Sequence, residues 1–112
     1  MKQVDQWLSK NIKPLVEAPD FQPSGLLLIV FDEACDRGSQ ADNRFNPNQL
    51  SIHGGGHVPA LIISSKVKPG TTSDWLAHHE SMLRLSLRAL GIQQFPGAAA
   101  NAPDLDEFFM KP

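Results

Sequence analysis

The sequence predicts an α/β fold from three observations. A helical pattern precedes the most apolar run in the chain, that run is continuous instead of alternating, and a second such run leads into another helical pattern. Residues 26–31, "LLLIVF", and residues 60–64, "ALIIS", read as strands buried on both faces. Strands of that composition belong to a sheet covered by helices on both sides. Two strands alone would leave edges as apolar as "LLLIVF" open to pairing with other chains. The expectation is therefore part of a larger sheet, whose remaining strands come from an N-terminal region or a partner chain.

Val4, Trp7, Leu8, Ile12 and Leu15 recur at helical spacing, which predicts an amphipathic helix over residues 3–17, shortened or kinked at Pro14. "EAPDFQPSG" turns the chain into the first strand. Residues 35–57 are polar and rich in Gly, Asn and Asp, a loop longer than compact domains tolerate without a functional reason. Pro59 fits only the first position or an edge of the second strand. "KPGTTSD" closes that strand and opens a helix over residues 75–90, with Ser73 or Asp74 as its cap. Trp75, Leu76, His79, Leu83, Leu87 and Leu90 mark the apolar face of that helix, and Gly91 stands where a C-terminal cap belongs. "QQFPGAAANAP" is a loop, and "DLDEFFM" reads as a short final helix capped by Asp104. No internal repeat occurs.

A length of 112 residues suits one small domain, and 41% hydrophobic with 20% charged residues is ordinary for a globular protein. The net charge of −2 supplies no electrostatic footprint for nucleic acid or an anionic membrane. Cys35 is the single cysteine, which excludes an internal disulfide and a cysteine-rich zinc site; a small packed residue beside the strand end competes with a reactive thiol. The N-terminus "MKQVDQWLSKNIKPL" lacks the apolar core of a signal peptide, and residues 26–31 are too few to span a bilayer.

Asp32 and Glu33 follow the first strand directly. Ligands of open α/β sheets bind beyond the carboxyl ends of the strands, and paired carboxylates suit a hard divalent cation. Spacing alone leaves this level with a solvated strand end. "HGGGH" sets His53 and His57 around three glycines, which permit tight turning and close ligand approach but not the single helical face of a zincin; a flexible connection is the plainer reading. In "HHES", His79 shares the apolar face with Leu83 and Trp75, while His78 points elsewhere and is expected to be exposed. An inward His79 near a helix start is either a core histidine or a group facing a metal or phosphate. Ser64 and Ser65 lack the glycine frame of a nucleophile elbow, and neither G-x-G-x-x-G nor a P-loop is present.

Taken in order, these pieces resemble the C-terminal part of the bacterial phosphoesterase family that includes phospholipase C and acid phosphatase enzymes, within the alkaline phosphatase superfamily. "DQWLSKNIKPLVEAPDFQPSGLLLIVFDEA" is similar to the family's helix and its strand ending in an acidic pair. "GGGHVPALIISSKVKPGTTS" resembles its glycine loop, second strand and "VKPG" turn; "HESMLRLSLRALGI" matches its "H-x-S-x-L-R" helix, and "DLDEFF" its closing acidic-aromatic segment. The resemblance implies a partial three-layer α/β/α sandwich with a mostly parallel sheet, the C-terminal portion of an alkaline-phosphatase-like fold, residues 1–112 forming a single partial domain. It implies hydrolysis of phosphate esters with a divalent metal ion held by Asp32 and Glu33. It gives His79 a catalytic place near the metal or phosphate and makes His57 a candidate phosphate or metal contact. The family's nucleophile and its acidic-asparagine metal motif belong to an N-terminal half and match nothing here, so the chain alone is expected to be inactive. Export is what the family suggests, with any signal upstream of Met1. The competing expectations are a non-catalytic fragment that folds only with a partner chain or by self-association, and a small free-standing metal-binding protein.

Overall fold

A computed structural model describes residues 2–33 and 57–111. In chain order the elements are α1 (Lys2–Asn11), α2 (Lys13–Val16), β1 (Leu27–Val30), β2 (Ala60–Ile63) and α3 (His79–Ala89), followed by 3-10 turns at Gly97–Ala100 and Asp106–Phe108. The chain divides into two compact units, residues 1–27 with 62–112, and residues 28–61.

The N-terminal helical pattern forms, broken where proline dictates. Pro14 has no N–H to donate to the preceding turn, so α1 ends at Asn11 and α2 restarts with proline in its first turn. Ile12 N–H to Leu8 O at 2.8 Å and Val16 N–H to Ile12 O at 3.1 Å carry the ladder across the break. The turn into β1 depends on Gly25, whose N–H meets Phe21 O at 2.6 Å; a Cβ there would stand 2.5 Å from that same oxygen.

The expected mostly parallel sheet and three-layer sandwich are not what the chain forms. β1 and β2 pair with each other as a two-stranded antiparallel sheet, with Phe31 N–H donating to Pro59 O at 3.3 Å. The physical reason lies in the connection. A parallel pair needs a crossover, ordinarily a helix, and residues 35–57 carry no helical apolar periodicity. Burial follows the same correction: all four β1 residues are half-buried, and Ala60 and Leu61 of β2 are exposed, where both strands were expected to be buried on both faces. A continuous apolar run therefore marked a strand correctly and its surroundings wrongly.

α3 begins four residues later than the pattern implied. His78, with extended backbone (φ −146°, ψ 179°), is its N-cap, and the His78 N–H points to Ser81 Oγ at 3.5 Å. Neither Ser73 nor Asp74, the two expected caps, fills that place: Ser73 accepts Trp75 N–H at 3.2 Å and donates its hydroxyl proton to the Glu107 carboxylate. The far end is as expected: Gly91 takes φ +78°, Gly91 N–H reaches Arg88 O at 2.9 Å and Ile92 N–H reaches Leu87 O at 2.9 Å, the paired bonds of a glycine-ended helix.

The C-terminal segment packs back on α3. Ala99, Ala102 and Leu105 are buried with Leu85 and Ser81 of α3, and Ser81 and Ala99 are each only 1% exposed. Small residues at positions 99 and 102 let the chain lie close to the helix. Beyond them, Asp106–Phe108 forms a 3-10 turn where a longer helix was expected, and Phe109 bridges antiparallel to Val67. Lys68 N–H to Phe108 O and Met110 N–H to Lys66 O, both 2.9 Å, fasten that end.

Leu85 is the one large side chain from α3 buried in this layer, so Leu85→Ala should cost about 2–4 kcal/mol, a large share of the 5–15 kcal/mol typical of a domain. Urea denaturation followed by circular dichroism should show a markedly lower midpoint; an unchanged midpoint would contradict this packing.

Candidate functional site

Asp32 and Glu33 stand just past Phe31 at the end of β1, and both are exposed. Glu33 N–H donates to Asp32 Oδ1 at 3.0 Å, so the backbone at the strand exit orients the first carboxylate. His57 and Val58 lead into Pro59 and β2, and His57 is exposed. Because the ribbon is antiparallel with Phe31 bonded to Pro59, the acidic exit of β1 and the His57 entrance of β2 lie at the same end. A parallel pair would have put them at opposite ends. Two hard oxygen donors and an imidazole are chemically apt for a divalent cation. Among the described residues, no three His, Cys, Asp or Glu side chains converge as a metal-holding group. Cys35 and His53 lie outside the described residues.

The two histidines at the head of α3 exchange their expected exposures. His79 is exposed, whereas the His78 side chain is only 16% exposed and sets its Nδ1 2.5 Å from Glu80 Oε2. The late start of the helix explains the exchange. Trp75 precedes α3 and so does not define its face, and the first helical residue, His79, turns away from the buried Ser81–Leu85 side. His79 belongs to the unit of residues 1–27 and 62–112; Asp32, Glu33 and His57 belong to the other.

Among the described residues the densest charge cluster lies elsewhere, and it is built from arginines to which the sequence reading gave no individual role. Arg84 Nε meets Asp104 Oδ1 at 2.7 Å, its Nη1 donates to the carbonyls of Ala99 and Ala100 at 3.1 and 2.9 Å, and its guanidinium lies 4.3 Å from the centre of the Phe95 ring. Arg88, one turn on, donates to Asp104 and to Asp106, each at 2.7 Å. The Arg84 hydrogen bond, helped by Arg88 and opposed by partial burial, holds the Asp104 carboxyl below the usual carboxylate range. Asp106, more than Asp104, raises Arg88, again against partial burial. The available signal was the pair of arginines four apart followed by "DLD", which was read as a helix cap instead. These carboxylates are committed to guanidinium groups, which makes the cluster a structural clasp.

Comparison with protein-family models, with curated proteins and with solved structures gave no match. Among the described residues, no helix is long and apolar enough to cross a membrane.

Asp104 sets a pH dependence. Its folded pKa lies below the ordinary 3.8, so its contribution to stability is complete above that pH and is lost as pH falls through the folded value. Asp104→Asn should flatten the loss of stability between about pH 5 and pH 2, measured by urea unfolding at a series of pH values. An acid limb as steep as in the parent protein would refute the assignment.

Proposed function

We propose that this chain is the C-terminal segment of a metal-dependent phosphoesterase that hydrolyses phosphate esters, with Asp32 and Glu33 as ligands of a divalent ion. One observation carries the proposal: an exposed, adjacent carboxylate pair leaves an apolar strand at the same ribbon end as His57. The ordered resemblance of the strand, the "VKPG" turn and the "H-x-S-x-L-R" helix gives that pair its chemical context. In this role Asp32 and Glu33 supply two anionic oxygens, fewer than a divalent ion requires, so other groups complete the shell. The bound ion would activate the nucleophile and draw charge from the phosphoryl oxygens. His57 would contact the phosphate or the ion as a hydrogen-bonding imidazole.

The test joins this chain to a nucleophile-bearing upstream half and follows hydrolysis of a chromogenic phosphate ester with and without chelator. Chelation should abolish turnover, and Asp32→Asn with Glu33→Gln should lower it by about a hundredfold or more. Full activity after replacing both carboxylates would remove them from the site.

A second reading has its own observation. Trp75 is 78% and Leu90 76% exposed, with Val4, Trp7, Leu15, Leu61 and Leu83 also open to solvent, while the buried apolar side chains among the described residues are Leu85, Ala99, Ala102 and Leu105. A surface this apolar favours a chain that folds or functions only with a partner or as an oligomer. Light scattering coupled to size exclusion should find the isolated chain self-associated; a well-folded monomer would count against this reading and leave the metal-ligand assignment to its own assay.

A further inference from the structure

We draw no further inference here: the strongest candidate, the exposed leucine patch made by Leu83 of α3 and Leu90 at its C-cap, carries nothing because nothing in the structure shows what covers it.

Discussion

The guanidinium of Arg84 is the interaction on which the unit around α3 depends. It gathers one carboxylate, two backbone carbonyls and an aromatic face at a single point on the helix. The Ala99 carbonyl is part-buried beside the helix, where leaving such a group unpaired costs about 1–3 kcal/mol, whereas the exposed Ala100 carbonyl adds less. Arginine alone among the side chains offers enough donors in a fixed fork to serve all of these partners. Arg84 holds residues 99–104 at α3; Ala99, Ala102 and Leu105 in and after that stretch are buried as Leu85 is, and the following residues reach the 66–68 segment. Arg88, more exposed and facing the more exposed Asp106, reinforces the clasp and adds little by itself, about 0–1 kcal/mol for a pair of that kind.

This arrangement uses one side of α3 and leaves the other. Ser81 and Leu85 are buried, whereas Leu83 of the helix and Leu90 at its C-cap are exposed. An eleven-residue helix with apolar side chains on two sides belongs between two layers, and one of them is built here. The β-ribbon has the same character, since strands of its composition are usually covered and these are half-buried or exposed.

Much of the fold was legible in single residues. Pro14 located the break between α1 and α2, Gly91 the end of α3, and the apolar runs located both strands, because each effect is local. Partnership was not legible, because it is set at long range. The continuous "LLLIVF" run suggests a parallel sheet only where a crossover returns the chain, and the strand it pairs with here, β2, runs antiparallel. His78 and His79 were assigned from a helical face that started too early, so a shift of helix start reversed their exposure. Asp104 has the right chemistry for a helix cap, and two arginines a turn apart on α3 claimed it instead. At the candidate site, the acidic pair at the strand exit was legible, but its sharing of one ribbon end with His57 followed only from the antiparallel register.

The proposed function comes down to which carboxylates would be available to a cation. Asp104 and Asp106 are bound by arginine, and Asp32 and Glu33 stand exposed at the ribbon end. The most direct test is paramagnetic: substoichiometric Mn²⁺ added to the ¹⁵N-labelled chain, with amide signals followed one by one. Selective broadening centred on Asp32 and Glu33 and reaching His57, with Asp104 and Asp106 spared, is the predicted result. Broadening centred on Asp104 and Asp106, or none at residues 32 and 33, would contradict the account.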